Sequence, residues 1–203
     1  PVTFNAVANT IIANPALAVT ISPTSNTLDV GQTLSLTTTV TGGTPNFYIA
    51  YSGNGLCGTL SATSNTLSAD GTNTIVFTPN SAITNTCTAN VMVSVTDSAS
   101  TNSIVSENSI LTVNPALGTP SITSPAATNT LDEGQPITIS ASVFGGTVPY
   151  TYNFIISQYG VPSNVLTYFT ESNSLSTNSI VWATNAIGTF VANVIVTDSA
   201  STP

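Results

Sequence analysis

The chain repeats itself at a spacing of about one hundred residues, and this repeat limits the possible folds more than its composition does. Five landmarks occur twice, in the same order. They are Asn-Pro-Ala-Leu at 14–17 and 114–117, Asn-Thr-Leu-Asp-x-Gly-Gln at 26–32 and 129–135, Gly-Gly-Thr at 42–44 and 145–147, Asn-x-Ile-Val at 73–76 and 178–181, and Thr-Asp-Ser-Ala-Ser-Thr at 96–101 and 197–202. Since 203 residues suffice for two domains of that size, the sequence predicts two copies of one domain.

Both copies have the pattern of β-structure. Short segments rich in Val, Ile and Thr alternate in hydrophobicity, and turn residues separate them at intervals of about 8–12 residues, which is typical of a β-sandwich. The alternating positions are Leu34, Leu36, Thr38 and Val40; Ile137, Ile139, Ala141 and Val143; Val91, Val93 and Val95; and Val191, Asn193 and Ile195. No stretch keeps a helical period. The predicted fold class is therefore all-β, with two tandem sandwiches.

The charge composition excludes several functions. The chain has no Lys, Arg or His and only eight carboxylates, and its solubility depends on 63 Ser and Thr residues. Without basic residues it cannot clamp phosphates, so we expect neither nucleic acid nor anionic lipid as a partner. Catalysis that needs His, Lys or Arg is impossible, and no nucleophile–base pair can be assembled. We expect a protein that is not an enzyme and carries no cofactor.

The same composition suits a protein outside the cell. Acid only neutralises the carboxylates, so a fall in pH brings none of the positive self-repulsion that unfolds ordinary proteins. No run of 18 apolar residues indicates a membrane span. Pro1 cannot begin a translated chain, so we expect a processed form from which an export signal has been removed.

The repeated motifs carry a resemblance to a family. Leu-Asp-x-Gly-Gln, then Gly-Gly-Thr-x-Pro-Tyr, then Val-x-Val-Thr-Asp-Ser resemble the immunoglobulin-like and PKD-like domains of archaeal and bacterial surface proteins, over nearly the whole chain. The resemblance implies tandem immunoglobulin-like sandwiches at a cell surface rather than an activity. Two departures are Asn46-Phe47-Tyr48 in the first copy, where the second has Pro149-Tyr150-Thr151-Tyr152, and the lack of an antibody-like Cys–Trp–Cys core.

The two copies are out of phase with the chain. The first copy continues into a last strand at 108–113, whereas the second stops at Pro203 without one. Residues 9–13 match residues 108–112 in type, and so supply a strand of the missing kind. The expected parts are residues 1–13 as a donor strand that completes the preceding subunit or domain, residues 14–114 as domain 1, and residues 115–203 as domain 2 lacking its last strand.

A sandwich without an edge strand exposes unpaired backbone groups and part of its core. The predicted repair is donor-strand complementation, in which a strand from a neighbouring copy completes the sheet. Such a contact does not close on itself, so it generates a linear homopolymer. The predicted donor positions are Phe4, Val7, Asn9, Ile11 and Ile12, with Phe4, Ile11 and Ile12 as anchors. The sequence resembles archaeal surface threads, which implies an extracellular filament for adhesion or cell–cell contact.

A covalent arrangement is the alternative. The chain would then be a segment of a long array of repeats in a surface adhesin or stalk, and residues 1–13 would complete the domain before it. Both hypotheses describe a linear string of domains, and they differ in whether the links are covalent.

Cys57 and Cys87 are the two cysteines of the chain, and the second copy has no counterparts. An even number in a surface protein predicts one disulfide, and two buried free thiols are the alternative. A metal site is not expected, because zinc needs more Cys or His ligands than the chain has.

The carboxylates fit turns better than chemistry. They are Asp29, Asp70, Asp97, Glu107, Asp132, Glu133, Glu171 and Asp198. Two pairs recur at equivalent turns, which favours turn capping over paired acids for glycoside hydrolysis. Calcium is the remaining alternative, although no dense Asp-x-Asp-x-Asp cluster is present.

A binding module for carbohydrates is the hypothesis from a different class. Aromatic residues cluster in the second copy, where they could stack on sugars if they were exposed, or fill the core. They are Tyr150, Tyr152, Phe154, Tyr159, Tyr168, Phe169, Trp182 and Phe190. Exposure of Tyr159, Tyr168 and Phe169 would favour sugar binding, and surface glycans or neighbouring cells are then possible partners. None of the 21 Asn residues begins an Asn-x-Ser/Thr acceptor, so N-linked glycans are not expected on this chain.

Overall fold

The computed structural model describes residues 10–53, 55, 57–99, 104–126, 128–160 and 165–200. Every regular element in these residues is a strand, which confirms the all-β prediction. The strands are β1 (Ala18–Ser22), β2 (Ser25–Asp29), β3 (Leu34–Thr41), β4 (Phe47–Ser52), β5 (Gly58–Leu60), β6 (Ser64–Leu67), β7 (Gly71–Pro79), β8 (Cys87–Thr96), β9 (Ile104–Asn114), β10 (Ser121–Ser124), β11 (Ile137–Ser142), β12 (Tyr150–Gln158), β13 (Val165–Asn173), β14 (Thr177–Trp182) and β15 (Phe190–Thr197).

The first nine strands form two sheets, which we call the first sandwich. Its four-stranded sheet has the order β1-β3-β7-β5, and its five-stranded sheet has the order β2-β9-β8-β4-β6. Neighbours pair antiparallel except β2 and β9, which pair parallel from Ser25↔Ile110 to Asp29↔Asn114. Cys57 and Cys87 are joined in a disulfide with 5.9 Å between their Cα atoms, which ties the segment before β5 to the start of β8.

The last six strands form a second pair of sheets, the second sandwich. Their orders are β10-β11-β14 and β13-β12-β15. Each sandwich has its own hydrophobic core. The first includes Leu36, Ile49, Phe77 and Val93, and the second includes Ile139, Tyr152, Phe154 and Trp182. None of the described elements is a helix that could cross a membrane.

The alternation in sequence accounts for most inward faces. Leu36, Thr38 and Val40 of β3 are fully buried, as are Val91, Val93 and Val95 of β8. The prediction for the last strand was wrong by one residue. Val191 and Ile195 are 39% and 50% exposed, and the inward face of β15 is the other one, which carries Phe190, Ala192, Val194 and Val196. The apolar residues on both faces of this strand gave no clear phase.

The Gly-Gly turns bring the start of each sandwich against its loops. Gly42 and Gly145 both have φ of 69°, and a Cβ at either one would collide with the carbonyl oxygen of Ala16 or Ala116. The next glycine donates its N–H to the carbonyl of Pro15 or Pro115, at 2.8 and 2.9 Å. The Asn-Pro-Ala-Leu segment therefore has the same position in both sandwiches.

Candidate functional site

Strand β9 is the second strand from one edge of the five-stranded sheet of the first sandwich. It lies between β8, with which it pairs from Cys87↔Val113 to Thr96↔Ile104, and β2. Its inward residues Leu111 and Val113 are fully buried in the core. Strand β9 therefore pairs with the backbone groups of both neighbours and contributes buried side chains to the core between the two sheets.

The second sandwich has no strand of this kind among its described residues. β15, the counterpart of β8, pairs with β12 and is the last strand of its sheet. Residues 128–132, the counterpart of β2, form no strand in the part of the chain that the structure describes. The place that β9 takes in the first sandwich thus has no strand among the described residues of the second, and we call this slot, between β15 and residues 128–132, the open edge.

The open edge leaves part of the second core uncovered. In β8 the inward residues Ala89, Val91, Val93 and Val95 are fully buried. Their counterparts Phe190, Ala192 and Val194 are only half-buried, and Val196 is 7% exposed. Leu131 is half-buried where its counterpart Leu28 is 3% exposed. A strand of alternating apolar residues would bury this surface.

The turn beside the open edge is already formed. In the first sandwich the N–H of Asp29 donates to Oε1 of Gln32 at 2.8 Å. In the second, the N–H of Asp132 donates to Oε1 of Gln135 at 3.1 Å. Both glutamines also donate their N–H groups back to the aspartate carbonyls, at 3.1 and 3.0 Å. The segment that would flank an incoming strand therefore ends in the same turn as β2.

The predicted donor residues are placed in part. Phe4, Val7 and Asn9 lie outside the described residues. Ile11 and Ile12 are 91% and 79% exposed, and they pack on neither sandwich. Two adjacent isoleucines with this exposure form an apolar surface that a second molecule could cover.

Hydrogen bonds that recur in both copies, just after these isoleucines, show which residues of β9 the isoleucines correspond to. Asn14 donates to the hydroxyl of Thr44 at 3.1 Å, and Asn114 donates to the hydroxyl of Thr147 at 2.8 Å. The two segments therefore correspond at a spacing of 100, which aligns Ile11 with the buried Leu111 and Ile12 with the half-buried Thr112. The match of residues 9–13 to 108–112 is shifted by one residue from this alignment. That alignment would need a bulge before Asn14, and it would turn Ile12 instead of Ile11 towards the core.

A polar cluster joins the two sandwiches where β9 ends. Thr147 donates its hydroxyl to Oδ1 of Asp29 at 2.7 Å, across the junction. Asn114 links both partners, because its amide donates to Thr147 and its carbonyl accepts the N–H of Val30 at 2.9 Å. Asp198 accepts the backbone N–H of Thr147 at 3.1 Å. Asp29 and Asn114 thus both form hydrogen bonds with the hydroxyl of Thr147. We call this set of contacts between the two sandwiches the internal junction.

Two carboxyl groups share this cluster. The pKa of Asp29 is raised from its ordinary value of 3.8 to about 6, mainly by burial and also by the hydrogen bond and negative charge of Asp198. Hydrogen bonds from Thr147 and Asn114 act in the opposite direction. The pKa of the Tyr150 phenol is raised by burial and by the charges of Asp198 and Asp29. Near pH 6 the cluster therefore takes up a proton that the unfolded chain would not hold.

Sequence reasoning missed the role of Asp29. Turn capping was the prediction for Asp29 and Asp132, but the side chains of Gln32 and Gln135 make the turn hydrogen bond, and the carboxylate of Asp29 binds the other sandwich. Asp97 and Asp198 do cap their own turns, since each accepts the N–H group of the residue two positions later at 3.4 Å. They also accept the N–H groups of Thr44 and Thr147 in the Gly-Gly loops. The sequence carries no direct signal for this contact, because Asp29 is placed beside Asn114 by the parallel pairing of β2 with β9, two segments far apart in the chain.

The aromatic cluster lies mostly in the core. Tyr150, Tyr152, Phe154 and Trp182 are buried, and Phe190 packs edge-on against Trp182 with 5.1 Å between the ring centres. Tyr159 is 75% exposed. The side chains of Tyr168 and Phe169 lie outside the described residues, so the predicted row of three exposed aromatics is not tested. In the described parts of the chain no three His, Cys, Asp or Glu residues form a group that could hold a metal ion.

Several solved structures resemble the chain at low sequence identity. No protein-family model and no curated protein matches the chain. The class 5 fimbriae chaperone CfaA is 11% identical, with 88% of this chain and 92% of that chain covered and a TM-score of 0.42. A chimeric titin Z1Z2 with a decorin peptide is 15% identical, with coverages of 91% and 96% and a TM-score of 0.39. The D0-D1 domain of Intimin is 17% identical, with coverages of 90% and 92% and a TM-score of 0.32. The all-β, immunoglobulin-like fold is therefore taken from the strand order of the chain itself, and similarities at these TM-scores carry no conclusion about it.

Proposed function

We propose that the chain is the structural subunit of an extracellular filament that assembles head to tail by donor-strand complementation. The segment before Asn14 of one copy occupies the open edge of the second sandwich of another copy. The observation that carries this proposal is the contrast between the inward residues of β8, which are fully buried beside β9, and the equivalent residues of β15, three of which are only half-buried. In this proposal the chain is not an enzyme and holds no cofactor.

The register supports the fit of the incoming strand. Ala89 faces Leu111 across β8 and β9, so the same pairing would place Ile11 opposite Phe190. The next inward positions would place Asn9 opposite Ala192 and Val7 opposite Val194. Alternate side chains would enter the core, and the backbone would pair with β15 on one side and residues 128–132 on the other.

The charge and the disulfide support the location. A disulfide is typical of proteins outside the reducing cytosol. A chain with no basic residue carries no positive charge to pair with its own carboxylates, so neighbouring subunits must cohere through apolar and hydrogen-bonded contacts. Strand addition supplies both kinds. The resemblance of the repeated motifs to archaeal surface threads points the same way, towards adhesion or contact between cells.

Negative-stain electron microscopy of the purified chain tests the proposal. We expect fibres from the intact chain and none from a version that lacks residues 1–13, and we expect that version to fold, because Ile11 and Ile12 pack on neither sandwich. A peptide of residues 1–13 should shorten the fibres, because it caps open edges without offering one. An intact chain that stays monomeric at high concentration would contradict the proposal and favour a covalent array or a carbohydrate-binding module.

A further inference from the structure

The internal junction is a contact between one sandwich and the end face of the next. That face consists of Asn114, Thr147 and Asp198, and the group that docks on it is the carboxylate of Asp29. Asp29 reaches the face because β2 runs parallel to β9 and pairs with Asn114 at its last residue. The chain then turns directly into the second sandwich. The contact is therefore a consequence of how β9 leads from one sandwich into the next.

The first sandwich presents the same end face. Asn14 donates to the hydroxyl of Thr44 at 3.1 Å, and Asp97 accepts the N–H of Thr44 at 3.0 Å. The corresponding distances in the second sandwich are 2.8 and 3.1 Å. The hydroxyl of Ser98 donates to the carbonyl of Thr44 at 3.3 Å, and the hydroxyl of Ser199 donates to the carbonyl of Thr147 at 3.1 Å. The two faces agree in residue type and in hydrogen bonding.

The second sandwich carries a counterpart of the docking carboxylate. Asp132 follows the same Asn-Thr-Leu residues as Asp29, and it stands in the same turn, held by Gln135. Asp132 is exposed, whereas Asp29 is 5% exposed at the junction. Asn14 is likewise exposed, whereas Asn114 is half-buried. Each chain thus carries a second docking carboxylate, Asp132, and a second end face that includes Asn14, and both residues are exposed.

We propose that Asp132 of one copy docks on the end face of the first sandwich of a second copy, where it accepts the hydroxyl of Thr44 beside Asn14 and Asp97. This inference rests on the proposed function, because a donated strand at residues 10–13 leads into Asn14 just as β9 leads into Asn114. The junction between subunits then repeats the internal junction. The filament is a uniform string of sandwiches in which the step between copies equals the step within a copy.

A double-mutant cycle on fibre assembly tests the docking. The measured quantity is the free subunit concentration that remains in equilibrium with fibres. We expect Asp132→Ala and Thr44→Val each to raise it about tenfold, because each removes one side of a charge-assisted hydrogen bond. The double variant should also show about a tenfold rise rather than a hundredfold one, since the two changes remove the same contact. Thr44→Ser, which keeps the hydroxyl, should assemble like the unaltered chain.

The internal junction supplies the matched control. Asp29→Ala and Thr147→Val remove the equivalent contact inside the chain, so they should change the equilibrium concentration of free subunit less than twofold. If fibres form but the effects of Asp132→Ala and Thr44→Val are absent or multiply to a hundredfold, the docking inference is wrong and the proposed function stands. If the unaltered chain forms no fibres, the proposed function fails, and the docking inference fails with it.

Discussion

The two sandwiches are copies of one domain, and they differ most at one edge. Asn26-Thr27-Leu28-Asp29 and Asn129-Thr130-Leu131-Asp132 are identical in sequence. The first four residues belong to β2 and pair with β9, whereas the second four form no strand. Both segments end in the same glutamine-held turn. The presence of a partner strand, and not the local sequence, therefore decides whether this segment becomes a strand.

The cores differ in the same place. The position that faces Leu111 in the first sandwich is Ala89, and its counterpart in the second sandwich is Phe190. Phe190 packs against Trp182 and still remains half-exposed, so the second core ends in a large aromatic side chain at the open edge. The small Ala89 lies opposite β9, which belongs to the same chain. The large Phe190 lies at the open edge, where it covers part of the core that no strand covers.

The largest effect is expected from a charge placed on the donor segment. Ile11→Asp should abolish fibres, or raise the free subunit concentration more than a hundredfold, because the carboxylate would enter the core beside Phe190. Ile12→Asp is the matched control, since the register places Ile12 where the half-buried Thr112 stands, and we expect a tenfold change or less. Sedimentation of fibres at equilibrium measures both.

The reverse ranking of these two variants would identify the other register. It would place Ile12 inward, with a bulge before Asn14. Equal and small effects would exclude this segment as the donor. Both variants should leave the unfolding of the monomer unchanged, because Ile11 and Ile12 are exposed in the single chain.

The sequence predicted the architecture better than the contacts. Period-two alternation gave most of the inward faces, as at Leu36 and Val93, because a strand with one buried face leaves that pattern. It failed at β15, where Val191 and Ile195 are apolar on the outer face. The parallel pairing of β2 with β9 has no local signature, so the contact of Asp29 with Thr147 could not be predicted. The motif Asn-Thr-Leu-Asp-x-Gly-Gln predicts a turn at both Asp29 and Asp132, and it does not distinguish the aspartate that contacts the other sandwich from the one that is exposed.

The disulfide gives the next largest effect, and it is confined to one sandwich. The Cys57→Ala, Cys87→Ala double variant should lower the free energy of unfolding of the first sandwich by about 3.5 kcal/mol, because the bond closes a loop 30 residues long. Trp182 is the one tryptophan of the chain and lies in the second core, so its fluorescence reports the second sandwich separately. Denaturant unfolding followed by tryptophan fluorescence should therefore move little, while far-ultraviolet circular dichroism, which reports the strands of both sandwiches, should gain a transition at lower denaturant. An equal shift in both signals would show that the two sandwiches unfold as one unit.

A smaller effect is expected from the proton at the internal junction. The pKa of Asp29 is about 6 in the folded chain and returns to about 3.8 on unfolding, so the folded state binds the extra proton. This contribution is fully present below about pH 3.8, and it is lost as the pH rises through 6. We expect it to amount to about 1 kcal/mol between pH 4 and pH 7, after allowance for screening by solvent.

Asp29→Asn isolates that contribution. The amide keeps an acceptor for Thr147 and does not titrate, so this variant should lack the rise in stability between pH 7 and pH 4. Asp132→Asn is the matched control and should keep the slope of the unaltered chain, because it leaves Asp29, Asp198 and Tyr150 in place. Urea unfolding at several pH values measures the three slopes, and the same slope in all three chains would contradict a shared proton at the junction.

The smallest expected effect is a spectroscopic one, and it reports directly on the difference between the two edges. Binding of a peptide of residues 1–13 should bury Phe190, change the surroundings of the adjoining indole of Trp182, and shift its emission slightly to shorter wavelength. The truncated chain without residues 1–13 is the receptor, since its open edge cannot be filled by another copy's donor segment. The same peptide with Ile11→Asp should give no shift at the same concentration, whereas the Ile12→Asp peptide should. If neither the unaltered peptide nor its variants change the emission, the slot beside β15 does not accept this strand, and the uncovered face of Phe190 must be a feature of the second sandwich itself.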